Sequence, residues 1–325
     1  MFTNDINIRI LRVLSDLRNG YPIRIAHADE NSSKKFYVAL SCCCPEFLKD
    51  VDSGDMFTTK MRNDFRHANC ASEAEFLKLC KLAEIEPIGV CVTGNALQNN
   101  GAGPDNILYI TAQDLQEYVE NFQYKLRLIA ESKITLKSAK EAYFYVFKTI
   151  YGGYEHYAIR VKNPKLDRAP LVRIHSSCYT GDLLASLRCD CRDQLQDAIE
   201  FIDNNNDYNG GFILYIMQEG RGIGLANKIN AYNLQQTHNL DTVESNLALG
   251  FDEDERSFVP AKAMLDFFGI TEISLITNNP KKSEDLKNFG INVAQTIPTV
   301  FHPNQYNESY LKTKEDQMGH TFKKD

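Results

Sequence analysis

Long apolar runs are absent from this sequence of 325 residues. None approaches the roughly 20 residues that a membrane-spanning helix needs, and the densest short stretch, Gly211–Met217, has only the length of a strand. The first twenty residues also lack the pattern of a secretory or transit peptide, because Asp5, Asp16 and three arginines interrupt it. We therefore expect a cytoplasmic protein that is neither secreted nor inserted in a membrane.

Positive charge is not in excess either. Lys and Arg number 36 against 43 Asp and Glu, which gives a formal charge of -7 and a pI near 5.6. Such a chain lacks the broad basic surface by which proteins bind the phosphates of nucleic acids, so we expect no nucleic-acid partner. A small anionic substrate remains compatible with this charge if Arg and Lys cluster locally.

The cysteines do not suggest a disulfide framework. There are nine, an odd number, in a sequence of cytosolic type, which favours ligands, nucleophiles or buried thiols. Three of them, Cys42–Cys44, are adjacent and cannot all face one site on a strand. We interpret that triplet as buried or incidental thiols.

Length and composition fit a globular protein of two domains. The chain is 43% hydrophobic and 24% charged, with no internal repeat or low-complexity stretch. At about 150 residues per domain it has room for two cores. The pattern of apolar residues changes near residue 136. This predicts an N-terminal α/β domain over residues 1–135 and an α/β or α+β domain of mixed sheet and helices over residues 136–325.

Apolar spacing and turn residues predict the individual elements. In the first domain the predicted helices are Ile6–Leu17, Ala71–Ala83 and Thr111–Leu128. The predicted strands there are Pro22–Ala26, Phe36–Leu40 and Pro87–Val92. Thr111 suits an N-cap with Asp114 three residues on, and Gln98–Pro104 is predicted to be a loop. In the second domain the predicted strands are Ala142–Lys148, His156–Val161, Leu171–His175, Phe212–Met217, Ile273–Ile276 and Ile291–Thr296. The predicted helices there are Asp193–Ile202, Leu225–Gln236, Ala261–Phe268 and Lys282–Phe289.

Three cysteines in the second domain, Cys178, Cys189 and Cys191, have a spacing that suits a metal. Three thiolates can hold a tetrahedral zinc and leave the fourth position open, as in a catalytic site. Because a helix would direct residues i and i+2 to opposite sides, we expect Cys189 and Cys191 to precede the helix that starts near Asp193. Spacing alone leaves two alternatives, a structural zinc with a fourth ligand elsewhere and reduced core thiols without metal.

Two further segments follow predicted strands. Gln218–Gly224 alternates glycines before a helix, where the backbone can approach a phosphate, although it matches neither the dinucleotide nor the Walker pattern. A plain glycine-rich turn is the alternative. Thr277–Lys282 closes a strand at a place where α/β sheets bind ligands, and the acidic run Asp252–Glu255 precedes Arg256. Taken alone, these last two patterns are also common on solvated surfaces.

In order along the chain, Arg173–Asp182, Ser186–Cys191 and Gln218–Leu225 resemble the corresponding motifs of GTP cyclohydrolase II. The further matching segments are Asn227–Ile229, Ala231–Tyr232, Asp241–Glu244, Asp254–Arg256, Thr277–Lys282 and Met318–His320. The resemblance runs through about residues 136–322, well over half of the chain. It implies that the three cysteines are the zinc ligands of this family.

The resemblance also implies a reaction. GTP would be opened at C8 by water, losing formate and pyrophosphate, to give 2,5-diamino-6-ribosylamino-4(3H)-pyrimidinone 5′-phosphate, the entry to riboflavin. Zn²⁺, Mg²⁺ with the triphosphate, and a homodimer are implied as well. Asp254 falls at the family's proposed proton acceptor, and Tyr232 falls at a catalytic tyrosine. Arg256 falls at the group proposed to act at the α-phosphorus, and electrostatic stabilisation is the more conservative role for it. The positions implied to bind GTP are Arg173, Ile174, His175, Ser176, Ser177, Gln194, Glu219, Gly220, Arg221, Thr242, Thr277 and Lys282.

Departures from the family pattern leave alternatives open. Ser177 stands where the family often has Glu, and Arg192 where it often has Gly, so a relative that stops at a formamide or at pyrophosphate release is one alternative. A non-catalytic GTP sensor is another. A zinc deaminase is a third, although its His-x-Glu and Pro-Cys-x-x-Cys signature is absent.

The N-terminal region resembles a known enzyme only faintly. Leu17–Ile23 is similar to the opening of 3,4-dihydroxy-2-butanone-4-phosphate synthase, but Ala26–Lys35 replaces the acidic loop expected next. Most of the carboxylates that would bind metal in that enzyme are therefore missing. We interpret the region as a degenerate domain retained for assembly or regulation.

Overall fold

The computed structural model describes residues 6–26, 35–39, 56–58, 66–68, 70–93, 107–121, 125–149, 154–164, 167–208, 210–299 and 306. The structural statements that follow concern these residues. Three predicted features, Cys42–Cys44, the loop Gln98–Pro104 and the segment Met318–His320, lie outside them. No helix in the described part of the chain is both long enough and apolar enough to cross a lipid bilayer.

The helices, numbered here in chain order, are α1 (Ile6–Arg18), α2 (Ala71–Leu82), α3 (Ala112–Asn121), α4 (Cys191–Asn204), α5 (Leu225–His238), α6 (Thr242–Ala248), α7 (Val259–Phe267) and α8 (Pro280–Asn288). The first six strands are β1 (Arg24–Ala26), β2 (Lys35–Ala39), β3 (Met56–Thr58), β4 (Arg66–His67), β5 (Ile88–Thr93) and β6 (Tyr109–Thr111). The others are β7 (Leu126–Ile134), β8 (Ala142–Thr149), β9 (Glu155–Lys162), β10 (Leu171–Ser176), β11 (Gly210–Ile216), β12 (Glu272–Ile276) and β13 (Asn292–Ile297). A π-helical turn, Tyr179–Leu183, and a short turn, Glu219–Gly222, complete the order.

Packing divides the chain into two compact units. The first unit combines Met1–Gln123 with Gly222–Glu255, and the second combines Tyr124–Arg221 with Arg256–Asp325. This division differs from a single cut after residue 135, because β7 pairs with β8 in the sheet of the second unit. The domain boundary at residue 135 therefore stays a prediction, because the two compact units describe how residues pack.

In the first unit, amphipathic helices cover small sheets. Strands β2, β5, β3 and β4 form one sheet in that order, and β1 pairs in parallel with β6. Helix α1 forms because Ile10, Val13, Leu14 and Leu17 recur at helical spacing, and all four are buried in the core of this unit. That core explains why the sequence identified α1 correctly.

A seven-stranded mixed sheet forms the second unit, in the order β13-β12-β10-β11-β9-β8-β7. Strands β10, β11, β12 and β13 run parallel, whereas β9, β8 and β7 are antiparallel additions. Every residue of β11 is buried, as expected of a central strand with both faces covered. The carboxyl ends of β10, β11 and β12 therefore share one edge of the sheet, which is where the candidate site lies.

The predicted elements are confirmed with ends within two residues, with one exception. The helix predicted at Thr111–Leu128 is wrong at its C-terminal end, where Leu126–Leu128 are part of a strand. Its N-terminus is confirmed, since Asp114 Oδ2 accepts the Thr111 N–H at 2.8 Å and Thr111 Oγ1 accepts the Asp114 N–H at 3.0 Å. Leu126 and Leu128, however, lie on β7 and pack against the core of the second unit. The prediction failed because the first apolar residues of β7 happen to continue the helical spacing of α3.

Candidate active site

Three thiols converge at the edge of the sheet where β10 ends. The Sγ atoms of Cys178, Cys189 and Cys191 all lie within 4.8 Å of one another, and those of Cys178 and Cys189 are 3.7 Å apart. Cys178 and Cys189 are buried, and Cys191 is partly buried. In the described part of the chain, these three cysteines form the one group of at least three potential ligand side chains close enough together to hold a metal ion.

The local backbone brings Cys189 and Cys191 to the same side in a way that the sequence did not predict. Helix α4 begins at Cys191, so the prediction that both cysteines precede the helix is wrong for Cys191. Asp190, between them, is the N-cap with φ -104° and ψ 17°, so the pair does not have helical geometry throughout. Cys191 instead occupies the first helical position, where the helix dipole favours a thiolate.

Gly181 keeps the space between the sulfurs open. A Cβ atom at this position would lie 2.8 Å from Cys189 Sγ and 3.1 Å from Cys178 Sγ. Any side chain would therefore compete with an ion held by these atoms. Three sulfur donors at this separation, around a position that only glycine leaves free, fit the zinc that the sequence predicts.

The cluster is electrostatically unfavourable as a set of bare thiolates. The side-chain hydrogen bond with Cys178, together with burial, raises the pKa of Cys189 to about 11. The pKa of Cys191 is raised well above its ordinary value by the side-chain hydrogen bonds with Cys178 and Cys189 and by burial. A cation reverses this preference by binding the deprotonated sulfurs, so metal binding here should release protons.

Asp182 fixes the turn that carries the first cysteine. Its carboxylate accepts hydrogen bonds from the main-chain N–H of Cys178 at 3.1 Å and from the Tyr215 hydroxyl at 2.6 Å. The Nε2 atom of His175 lies 3.2 Å from both carboxylate oxygens. Tyr215 in turn stacks on Tyr157 at a centroid distance of 4.3 Å. Asp182 therefore joins β10, β11 and the π-helical turn at one point.

The same network perturbs the titration of its members. Burial lowers the pKa of His175, although its hydrogen bond to Asp182 acts in the opposite direction. Burial raises the pKa of Tyr157 to about 12. Burial and the hydrogen bond with Asp182 also raise the pKa of Tyr215. At neutral pH Tyr157 and Tyr215 are therefore both protonated, so the Tyr215 hydroxyl can donate to Asp182.

A buried cation, Arg173, lies near Cys191. The guanidinium of Arg173 donates to the Ile276 carbonyl at 3.1 Å and to Gln194 Oε1 at 2.7 Å, and Gln194 donates to Asp190 Oδ2 at 2.6 Å. Burial lowers the pKa of Arg173 to about 10, while the charges of Asp190 and Cys191 raise it. Arg173 thus remains charged at neutral pH and offsets negative charge at Cys191.

The glycine-rich segment after β11 makes a sharp turn. Gly220 and Arg221 have φ angles of 62° and 64°, in the left-handed region that non-glycine residues rarely adopt. Glu219 holds this turn against the metal-binding one, because its Oε2 accepts the Tyr179 N–H at 2.6 Å and its Oε1 accepts the Gly220 N–H at 3.0 Å. The Glu219 side chain is consequently buried.

Comparison with known proteins identifies the family. Residues 127–298 match the family model for GTP cyclohydrolase II. A GTP cyclohydrolase-2 from Azospirillum brasilense is 40% identical over 279 residues, covering 86% of this chain and 71% of that protein. The chain belongs to the GTP cyclohydrolase II family. The 279 matched residues are more than the chain has after residue 126, so this likeness also includes part of the N-terminal region.

Two other similarities are narrower. A riboflavin biosynthesis protein RibBA from Phocaeicola vulgatus is 45% identical over 176 residues, covering 54% of this chain and 43% of that protein. A solved two-domain 3,4-dihydroxy-2-butanone 4-phosphate synthase from A. baumannii is 13% identical with a TM-score of 0.32, covering 90% of this chain and all of that one. A score this low carries no argument about the N-terminal region.

Family membership makes this chain a GTP cyclohydrolase II hydrolase, and its predicted GTP-binding positions can be located. Eleven of the twelve belong to the second unit, and ten of these are Arg173, Ile174, His175, Ser176, Ser177, Gln194, Glu219, Gly220, Arg221 and Thr277. Lys282, in the same unit, donates from Nζ to the Ile174 carbonyl at 2.9 Å. Thr242 belongs to the first unit.

Many of these side chains are engaged within the protein. The Ser177 hydroxyl accepts the Gln218 N–H at 3.1 Å, and the Ser176 hydroxyl accepts from Gln218 Nε2 at 2.9 Å. Thr277 Oγ1 accepts the Asn279 N–H at 3.1 Å, at the N-cap of α8. Such residues shape the main chain of the site, and their contact with GTP stays a prediction.

The predicted catalytic residues divide between the units. Arg256 belongs to the second unit, where its guanidinium lies 5.9 Å from the Phe258 ring and the Lys282 ammonium lies 5.6 Å from the same ring. Two cations against one ring form a local positive group of the kind that an acidic chain needs for an anionic substrate. Tyr232, on α5 with Lys228 over its ring at 5.7 Å, and Asp254 belong to the first unit.

Sequence reasoning missed the residues that hold the three thiols in place. Asp182 lies in the matched motif, but nothing in its spacing gave it a role. Tyr215 lies in the apolar run of β11, where it gave no signal apart from its hydroxyl. Its contact with Tyr157 follows from strand pairing, in which these two residues are direct partners.

Proposed function

We propose that the protein hydrolyses GTP in a zinc-dependent reaction to 2,5-diamino-6-ribosylamino-4(3H)-pyrimidinone 5′-phosphate, formate and pyrophosphate, as the first step of riboflavin biosynthesis. The observation that carries the zinc dependence is the group of three thiols around Gly181. Family membership supports GTP as the substrate. Mg²⁺ would accompany the triphosphate, and a homodimer would be the working assembly.

Cys178, Cys189 and Cys191 would hold the zinc. When bound, zinc supplies a Lewis acid for the addition of water at C8 of the guanine. Arg173 is buried beside Asp190 and Cys191 and offsets the negative charge that three thiolates create. Glu219 and Asp182 fix the turn from Cys178 onwards through the main-chain N–H groups of Tyr179 and Cys178.

The remaining steps are assigned to residues at the family positions. Asp254 would accept a proton during ring opening, and Tyr232 would assist it. Arg256 and Lys282, both against Phe258, would face the phosphates, and Arg256 would stabilise charge at the α-phosphorus as pyrophosphate leaves. A guanidinium stays protonated at neutral pH, which favours this electrostatic role over nucleophilic attack.

The two departures from the family pattern are compatible with the full reaction. Ser177 is buried, and its hydroxyl supports the main chain at Gln218, so the residue has a structural task in this protein. Arg192 is exposed on the first turn of α4. Neither substitution removes one of the side chains assigned above. We further propose that the N-terminal region is a degenerate synthase-like domain without synthase activity.

The test is incubation of zinc-loaded protein with GTP and Mg²⁺, with formate, pyrophosphate and the pyrimidine quantified together. Equal amounts of all three are expected, and a Cys191→Ser variant should form none. Pyrophosphate or a formamide without formate would replace the proposal with a truncated reaction. Ammonia without formate would indicate a deaminase, and tight GTP binding without any turnover would indicate a sensor. Formation of the butanone phosphate from ribulose 5-phosphate would refute the degenerate N-terminal domain.

A further inference from the structure

A lysine of the N-terminal region holds the acidic loop that contains Asp254. Lys81, in the last turn of α2, places its Nζ 2.8 Å from Asp252 Oδ2 and 2.7 Å from Glu255 Oε1. The two acidic residues flank Glu253 and Asp254 in the sequence. All of these residues belong to the first compact unit. The Lys81 and Glu255 side chains are only 20% and 19% exposed, so this pair is partly protected from solvent.

The same carboxylate also closes the loop. Glu255 Oε1 accepts the main-chain N–H of Asp252 at 2.8 Å, in addition to its contact with Lys81. One ammonium therefore joins both ends of a run of four acidic residues, whose mutual repulsion would otherwise open it. The two carboxylates bound by Lys81 raise its pKa despite partial burial, so the lysine is charged throughout the neutral range.

Three further contacts support the chain at the end of α2. Asn227, on α5, donates from Nδ2 to the Glu84 carbonyl at 3.0 Å. Gly224, the N-cap of α5, packs closely on the same residue, because a Cβ there would lie 3.0 Å from Glu84 Cβ and its φ of +86° favours glycine. Arg18 of α1 donates from Nε to the Ala83 carbonyl at 3.0 Å. The segment 222–255 is therefore fastened to the N-terminal core at two places, its beginning and its end.

We propose that Lys81 is a positioning residue for the cyclohydrolase reaction, and that the N-terminal region serves that reaction by holding the loop Asp252–Glu255 in place. The inference rests on the proposed function, since it takes Asp254 as the proton acceptor. It gives the N-terminal region a task that needs no synthase chemistry. Lys81 acts through Asp252 and Glu255 and does not itself contact the substrate.

The experiment compares Lys81→Met with Lys78→Met in the full-length, zinc-loaded protein. Lys78 lies on the same helix and pairs only locally, with Glu75 at 3.2 Å, so its variant controls for loss of one charge. Hydrogen exchange is measured on peptides that cover residues 250–256, and formate release is measured over a range of GTP concentrations. Lys81→Arg tests rescue by a residue that keeps the charge.

Lys81→Met should exchange the loop amides roughly tenfold faster and lower kcat for formate roughly 10- to 100-fold, with a smaller change in KM. Lys78→Met should match the wild type, and Lys81→Arg should recover most of kcat. Loop exchange or kcat unchanged in Lys81→Met would overturn the inference. If Lys81→Met lowers the melting temperature, Glu255→Gln removes the same pair from the other side, and it must give the same split between kcat and KM.

These outcomes separate the inference from the proposed function. A wild-type protein that makes no formate refutes the proposed function, and with it the catalytic part of the inference. Faster exchange of the loop in Lys81→Met would in that case still support the fastening itself. If the wild-type protein turns over normally and Lys81→Met behaves like Lys78→Met, only the inference about Lys81 is refuted.

Discussion

The carboxylate of Asp182 accepts the main-chain N–H of Cys178 at 3.1 Å, so an acidic side chain outside the three-thiol group fixes the backbone of one of its members. It also receives the Tyr215 hydroxyl and lies beside His175. A buried carboxylate is costly unless hydrogen-bond donors satisfy it. The Cys178 N–H and the Tyr215 hydroxyl are two such donors, and they hold Asp182 in this position.

We expect Asp182→Asn to release zinc roughly tenfold faster than the wild type, because partners beyond the ligands typically change metal affinity by about this amount or more. The rate is measured with a chromophoric chelator in excess. Asp193→Asn, an exposed aspartate on the first turn of α4, is the control and should release zinc at the wild-type rate. Equal rates in the two variants would contradict the role given to Asp182.

Replacement of Gly181 by alanine should remove the metal. The new Cβ would lie 2.8 Å from Cys189 Sγ, closer than carbon and sulfur can approach without displacement. We expect zinc content, measured by elemental analysis, to fall from about one per chain to well below half, with formate release falling in proportion. Gly269→Ala is the control, since it has open space but a φ of +68°. It should cost about 1 kcal/mol of stability and keep its zinc.

Acid should destabilise the second unit through His156. Burial lowers the pKa of His156 to about 4, from 6.5, and its Nδ1 accepts the Met217 N–H at 3.1 Å. The unfolded chain therefore binds a proton that the folded chain refuses between these two pH values. Stability should fall as the pH falls from about 6.5 to about 4, by up to roughly 3 kcal/mol from this residue.

Urea unfolding at a series of pH values measures this loss. His156→Gln should be less stable than the wild type at neutral pH but should lose less stability on acidification. His238→Gln, at the exposed end of α5, is the control and should keep the wild-type slope. A wild-type slope in His156→Gln would contradict the assignment.

Arg173→Met should destabilise the protein strongly. The substitution leaves Asp190 and Gln194 without the cation they face, and removal of one partner of a buried charged group typically costs about 3–5 kcal/mol. Urea unfolding gives the value, with Arg168→Met, on an exposed turn, as the control expected within about 0.5 kcal/mol of the wild type. A change in Arg173→Met no larger than in the control would show that Arg173 does not serve as a buried counter-charge.

The sequence predicted those features that depend on neighbouring residues. The spacing of Cys178, Cys189 and Cys191 made a metal-binding group one of several interpretations, and the resemblance to GTP cyclohydrolase II favoured it, whereas Thr111 with Asp114 was sufficient to place a helix start. Spacing could not show that Asp190 breaks the helical geometry between two ligands, because that depends on its own backbone angles. Nor could it show that residues 222–255 pack with the N-terminal region, since Lys81 and Asp252 are 171 positions apart.

That separation has a consequence for how the chain folds as it is made. A ribosome releases α2 well before residues 222–255, so the first unit must wait for most of the protein before Lys81 finds its partners. Contacts between positions far apart in the sequence form late and slowly, and strands β7 to β11 of the other unit are made in the interval. The nascent N-terminal region therefore lacks its contacts with residues 222–255 until that segment has left the ribosome.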